Sequence, residues 1–256
     1  MATPVDTARR PCAIAVMAKA PRAGRVKTRL TPPLTPEAAG ALSASFLGDI
    51  TGNIALAAAR APLQGYVAYA PAGLEHLFDG VVAPGTLLVL ADGDRPMPPG
   101  VAGFGRSLLQ AAEALFARGH AAACLLNSDS PTLPTALIAE AADALAAPGD
   151  RVVLGPAEDG GYYLLGMKAP HAALFTDIAW STATVAEATR ARARALGLAV
   201  VELPTWYDVD DGASLARLRS ELAAPSPAGR LAPYAAPLTA TCLARIDDAA
   251  LAAAAD

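Results

Sequence analysis

The chain has 256 residues, of which 54% are hydrophobic and 17% charged, and its 24 acidic side chains outnumber its 20 lysines and arginines for a net charge of −4. That balance excludes a disordered chain and a general nucleic-acid binder, since phosphate tracks need broad basic surfaces. It also excludes a membrane protein of helical type, because no run approaches the roughly 18 uninterrupted apolar residues of a span.

Cys12, Cys124 and Cys242 are odd in number, far apart and outside any metal-ligand spacing, so they read as free thiols in a reducing compartment. The expectation is a soluble cytoplasmic protein with small-molecule partners. The start "MATPVDTARRPCAIAVMAKA" imitates a signal peptide, with two arginines ahead of an apolar run. That run is only about eight residues long, is headed by Pro11 and is followed by Lys19, so "CAIAVMA" (12–18) is predicted to be a first buried strand.

Next comes "AKAPRAGRVKTRL" (18–30), with Lys19, Arg22, Arg25, Lys27 and Arg29 and no acid. Ligands of open α/β sheets sit beyond the carboxyl ends of the strands, where this loop is expected. Gly24 lets backbone amides approach an anion, and the five cations offer charge-assisted hydrogen bonds to a polyphosphate. A bidentate guanidinium such as Arg29 and a point charge such as Lys27 do complementary work there. The alternative is a solvated basic surface loop. The spacing is not that of a P-loop, because no G-x-x-x-x-G-K-[ST] occurs.

Residues 35–60 then predict a helix capped by Thr35, with Pro36 in its first turn and Leu42, Phe46, Ile50 and Ile54 recurring every four residues. "GYVAYA" (65–70) and "TLLVLA" (86–91) predict strands, 105–119 a helix, "AAACLLN" (121–127) a strand and 133–147 a helix. "RVVLGPA" and "GYYLLGM" bracket a turn in "EDG", a local antiparallel insertion. Residues 184–197 predict a helix with a capping box from Thr184 to Glu187. "LAVVELP" is a strand and 213–224 a helix. Alternating strands and helices predict a three-layer α/β/α domain over residues 1–224, with a mixed, mostly parallel sheet. Residues 225–256, rich in Pro and Ala at first and able to form a short terminal helix, read as a tail packed on that domain or partly loose.

Three acidic stretches carry the chemistry. In "LLNSDSPTLP", Thr132 stands nearer the helix start and can cap it, which leaves Asp129 free at the sheet's mouth. In "LPTWYDVDDGASLARL", Asp211 is best placed to cap the next helix, leaving Asp208 and Asp210 to face the site or solvent. Clustered carboxylates beside clustered cations suit a divalent metal with a polyphosphate between them, since Mg²⁺ takes one or two carboxylates plus phosphate oxygens and waters. In "GPAEDGGYYLLGM", Gly160 and Gly161 permit a tight turn that presents Glu158 and Asp159, although a plain hairpin turn reads equally well. Tyr162 and Tyr163 must point to opposite sheet faces. Trp180, with Ser181 in "WSTATV", either walls a substrate pocket or packs in the core. His76, His120 and His171 share no spacing and are assigned surface or capping positions.

Taken together, "AKAPRAGRVKTRL", "LLNSDSPTLP", "GPAEDGGYYLLGM", "WSTATV" and "WYDVDDGASL" resemble the nucleotide-diphospho-sugar transferase superfamily with its GT-A-type fold. More narrowly they resemble the glycosyltransferase-like family DUF2064, similar to 2-phospholactate guanylyltransferase and the molybdenum-cofactor guanylyltransferases. The resemblance covers 12 to about 222. It implies that Lys19 through Arg29 contact nucleotide phosphates and that Asp129 and Asp210 hold Mg²⁺ or Mn²⁺. It also points to Gly105 and Arg106 near the base. Relatives commonly continue the second aspartate motif with Thr-Pro, where this chain has Asp211-Gly212. The substrate side is expected to comprise Glu158, Asp159, Gly160, Trp180 and Ser181.

Two chemistries share such a site. Nucleotidyl transfer from a nucleoside triphosphate to a phosphorylated substrate needs a dense positive cradle, which the five-cation loop supplies, and needs no dedicated base. Across the two chemistries Lys27, Arg29, Asp129 and Asp159 are the expected catalytic residues. Glycosyl transfer from a nucleotide sugar needs a base for a neutral hydroxyl, for which Glu158 or Asp159 is available. A domain that senses a nucleotide without chemistry is the remaining alternative.

Overall fold

The computed structural model describes residues 11–93, 95–224 and 228–255. The two arginines of the signal-like start and residues 225–227 of the Pro/Ala-rich segment lie outside that description. Strand β1 (Cys12–Lys19) is followed by helix α1 (Pro36–Ala57), β2 (Leu63–Ala70) and β3 (Leu87–Leu90). Helix α2 (Phe104–Ala117), β4 (Ala123–Leu126) and α3 (Thr135–Ala146) come next, then the hairpin β5 (Arg151–Pro156) and β6 (Tyr162–Met167). Helix α4 (Val185–Ala195), β7 (Ala199–Glu202), α5 (Gly212–Ala223) and α6 (Pro237–Ala255) complete the order. No helix among the described residues is long and apolar enough to cross a membrane.

The strands form one sheet in the order β3-β2-β1-β4-β6-β5-β7. Strand β6 runs antiparallel to both its neighbours, and the other pairings are parallel. The expected mixed sheet with a local antiparallel insertion is thus present. After β1 the chain moves to β2 and β3 on one side, then returns to lay β4 on β1's other side, pairing Ala13 with Ala123 and Val16 with Leu126. The carboxyl ends of β1 and β4 therefore flank a topological switch point, where open sheets leave a crevice.

Strand β1 is apolar without alternation because both its faces are covered. Ile14 and Val16 face α1 and α3, whereas Ala13, Ala15 and Met17 face α2. Helix α1 is buried on two sides. Ile50 and Ile54 lie under the sheet, while Leu42 and Phe46 join a third cluster with Leu30, Tyr207, Leu215 and Leu243. Burying a side chain of that size contributes about 1.5–3 kcal/mol. Thr35 caps α1 as expected, its Oγ1 accepting from the Ala38 amide at 3.1 Å.

Helix α6 lies along α1. Asp49 on α1 accepts the Leu238 and Thr239 amides, at 3.1 and 2.7 Å, and so caps the start of α6. Gly48 permits the approach, since a Cβ there would meet Leu238 Cδ1 at 2.6 Å.

Three local expectations fail. Thr132 does not cap α3, whose N-cap is Pro134. Its hydroxyl is instead buried against the Tyr207 hydroxyl and Glu221. Thr184 accepts no capping bond, so the box with Glu187 is absent, and Glu187 pairs with Arg190. His120 is buried, its ring between the Tyr66 hydroxyl at 2.7 Å and the Pro11 carbonyl at 2.6 Å.

Candidate active site

A cleft of about 670 Å³ opens at the carboxyl ends of β1 and β4. A second groove of about 720 Å³, between α1 and α6, is lined mainly by apolar side chains, with Thr35, Ser45, Thr241, Cys242 and Arg245 among them, and holds no carboxylate. The chemistry therefore belongs to the cleft.

The loop after β1 supplies the cations. Arg22 and Arg25 close a turn, the Arg25 amide donating to the Arg22 carbonyl at 3.0 Å, with Gly24 at φ +70° beside them. Lys27 follows in the left-handed region at φ 49°, and the buried Leu30 plugs the next turn into the third cluster. This anchoring turns the Lys27 side chain inward, where it is 7% exposed with its ammonium 5.2 Å from the centre of the Phe46 ring. The ammonium lies 2.6 Å from Asp129 Oδ1, 2.6 Å from the Val209 carbonyl and 3.4 Å from Asp210 Oδ1. Arg29 reaches the other oxygen of Asp210 at 3.7 Å and stays 71% exposed. Lys19, Arg25, Lys27 and Arg29 line the cleft. Arg22 does not, and neither does Gly24.

The aspartates are positioned by backbone ties between the segments that follow β4 and β7. The Asn127 amide donates to the Tyr163 carbonyl and the Val209 amide to the Asp129 carbonyl, each at 2.8 Å, tying the end of β4 to β6 and to the segment between β7 and α5. Asp211 caps α5 as expected, sharing a capping box with Ser214, so Asp210 is free to face the cleft. Burial and the charge of Asp129 push the Asp210 carboxyl above its usual range, opposed by Lys27 and Arg29.

Asp208, which sequence reading left between site and solvent, lies in the cleft wall. It accepts from Asn127 Nδ2 at 2.6 Å and Ser130 Oγ at 2.7 Å. Burial, and then the charges of Asp129 and Asp159, push it up to about 6 against those hydrogen bonds.

The hairpin separates its two acids. Asp159 lines the cleft and accepts the Gly161 amide at 2.8 Å. Glu158 points elsewhere, in a bidentate pair with Arg217 at 2.6 and 3.1 Å. Gly160, at φ +89°, is required because a Cβ there would collide with the Ala183 carbonyl. Tyr162 lines the cleft, whereas Tyr163 packs on the opposite face with its hydroxyl donating to Pro204.

Trp180 and Ser181 also line the cleft, the indole edge-on to Phe104 at 5.8 Å between ring centroids. Gly105 and Arg106 do not. A Cβ on Gly105 would press on Trp180 at 2.9 Å, and Arg106 donates to the Gly93 and Arg95 carbonyls. Their neighbours Phe104 and Ser107 are the residues of that segment that reach the cleft. The missed lining residues Asn127, Ser128 and Phe104 had only a weak signal: polar residues closing an apolar strand, and an aromatic side chain at a helix start.

Among the described residues, no three His, Cys, Asp or Glu side chains gather as a protein cage for a metal. Asp129 and Asp210 nevertheless converge on one cation, the Lys27 ammonium. A pair of carboxylates suffices for Mg²⁺ or Mn²⁺ when phosphate oxygens and waters complete the shell, so the donor set fits such an ion.

The sequence model of a family described as "Uncharacterized protein conserved in bacteria (DUF2064)" matches residues 53–182, half of the chain. The chain belongs to that family. The matched stretch contains Asp129 and the hairpin but neither the basic loop nor Asp210. A crystal structure from Desulfovibrio desulfuricans G20, carried under the name of a nucleotide-diphospho-sugar transferase, is 27% identical. It covers 93% of this chain and 95% of its own, with a TM-score of 0.73. CMP:2-keto-3-deoxy-manno-octonic acid synthetase complexed with CTP is 13% identical, covers 82% of this chain and 97% of its own, and superposes with a TM-score of 0.50, a likeness of fold alone. No curated protein matches in sequence. The family member described here has the mixed, mostly parallel three-layer fold of the nucleotide-diphospho-sugar transferases, the GT-A type.

Proposed function

We propose that the protein is a Mg²⁺- or Mn²⁺-dependent transferase that moves a nucleotidyl group from a nucleoside triphosphate to a small phosphorylated substrate. The observation that carries this reading is the meeting of Lys27 with Asp129 and Asp210, at 2.6 and 3.4 Å, in a cleft also lined by Lys19, Arg25 and Arg29. A phosphate oxygen of the substrate attacks the α-phosphorus, the bond to the β-phosphate oxygen breaks, and pyrophosphate leaves. The cations of the β1 loop bind the β and γ groups and stabilise the charge that grows there. Asp129 and Asp210 would hold the divalent ion, whose contribution is to neutralise charge on the triphosphate. The small side chains of Ala68, Ala70 and Ala91, which line the cleft, leave room for a flat ring. Phe104, Trp180, Ser181 and Asp159, which also line the cleft, are read as the side that receives the second substrate.

Glycosyl transfer from a nucleotide sugar is the second reading, supported by Asp159 in the cleft and weakened by the engagement of Glu158 with Arg217. We also read residues 1–224 as the transferase domain and 225–256 as a segment resting on it, as the Asp49 cap of α6 suggests. The three unbridged cysteines support work in the cytoplasm.

The test is a thermal-shift panel of nucleoside triphosphates and nucleotide sugars with Mg²⁺, followed by pyrophosphate release. A ligand specific to the native state stabilises by about 2.7 kcal/mol at a hundredfold excess over Kd. Stabilisation by nucleotide sugars alone reverses the order of the two readings. Stabilisation without turnover, across phosphorylated substrates, leaves a nucleotide sensor.

A further inference from the structure

An ammonium has three N–H donors. Those of Lys27 face three acceptors: Asp129 Oδ1, the Val209 carbonyl and Asp210 Oδ1. With its ammonium 5.2 Å from the Phe46 ring centre and its side chain 7% exposed, this cation is built into the wall. Asp129 and Asp210 are thus already neutralised in part before any ligand arrives. A divalent ion that takes the same two carboxylates must sit beside a like charge or expel it, and at such separations the repulsion is large.

From this geometry we infer that Lys27 is a resident counter-ion that competes with the divalent ion for Asp129 and Asp210. It yields more readily when its ammonium can move to another anion. The inference rests on the reading of those aspartates as metal ligands given above. A polyphosphate is the natural new partner, because Lys19, Arg25 and Arg29 line the same cleft. The four-carbon stem of a lysine swings between such positions by bond rotation, without backbone movement. The consequence is a site that holds free metal ions weakly and accepts metal and polyphosphate together more tightly. Unproductive loading by metal alone, which would leave the ammonium stranded in a buried wall, is disfavoured.

The experiment is a titration of the full chain with Mn²⁺ alone, the free ion being followed by its paramagnetic resonance signal. It compares the wild type, Lys27→Met, and Lys27→Met combined with Asp129→Asn. The expected result is that Lys27→Met binds Mn²⁺ about tenfold or more tightly than the wild type, as loss of one adjacent positive charge implies, and that Asp129→Asn removes the gain. Equal or weaker binding by Lys27→Met overturns the inference, as does a gain that survives Asp129→Asn.

A measurement on the unaltered protein guards against misfolding of the variants. Acylation of the Lys27 amine by a small reagent, read by peptide mass spectrometry, should quicken several-fold when saturating Mn²⁺ is added, and unchanged labelling overturns the inference. Neither readout uses a nucleotide. Failure of the nucleotidyl reading, seen as no stabilisation by any triphosphate, is therefore separable from failure of the competition.

Discussion

Two pairs of carboxylates in this molecule behave in opposite ways. Asp129 and Asp210 are remote in sequence yet meet at one ammonium, whereas Glu158 and Asp159 are neighbours yet part company, one to Arg217 and one to the cleft. The first pair is brought together by the segment between β7 and α5, which crosses back over the two intervening strands, bridging Ala157 at Trp206 and donating from the Val209 amide to the Asp129 carbonyl. The second pair is divided by a turn, where adjacent side chains take different directions and each finds its own partner. Closeness in sequence therefore says little about shared chemistry, and the path of a connecting segment says a great deal.

The comparison can be broken at each of its members. Asp129→Asn should lower kcat for pyrophosphate release by about 10³-fold while leaving the circular dichroism spectrum unchanged, since it strikes the convergent pair directly. Gly160→Ala should destabilise the fold by about 1–3 kcal/mol in denaturant titration, because it forces a side chain into positive φ and against the Ala183 carbonyl. If the hairpin tolerated it, the turn would not be what divides the second pair. Asp159→Asn should raise KM for the second substrate by about tenfold with little change for the triphosphate, one lost charged hydrogen bond being worth that much. The smallest effect belongs to Glu158→Gln. The loss of an exposed ion pair costs at most about 1 kcal/mol, and turnover should stay within about twofold. A hundredfold loss there would restore Glu158 as a base and favour glycosyl transfer.

The sheet and most helices were legible because their signals are local and repeated. The apolar run of β1, and Leu42, Phe46, Ile50 and Ile54 on α1, all lie buried as their periodicity requires. The convergence on the cleft could be anticipated for residues at strand ends, since topology sends those ends to one edge. What escaped reading depends on distant partners. Thr132 and Thr184 look like caps in their own sequence neighbourhoods, but Tyr207 and Glu221 claim the first and no backbone amide comes to the second. Arg106 sits one residue from a lining position, and a helix turn decides that Ser107 faces inward instead. The engagement of Glu158 needed knowledge of Arg217, on a helix whose placement no local pattern dictates.

Because β1 and β4 are hydrogen-bonded neighbours in one continuous sheet, the two banks of the cleft stand on a single stiff frame rather than on separate lobes. Adjustment to the size of a reactant then falls to the surface segments, foremost residues 20–29, and not to a hinge. Evolution could retune what enters by rewriting that short ribbon while every strand kept its place.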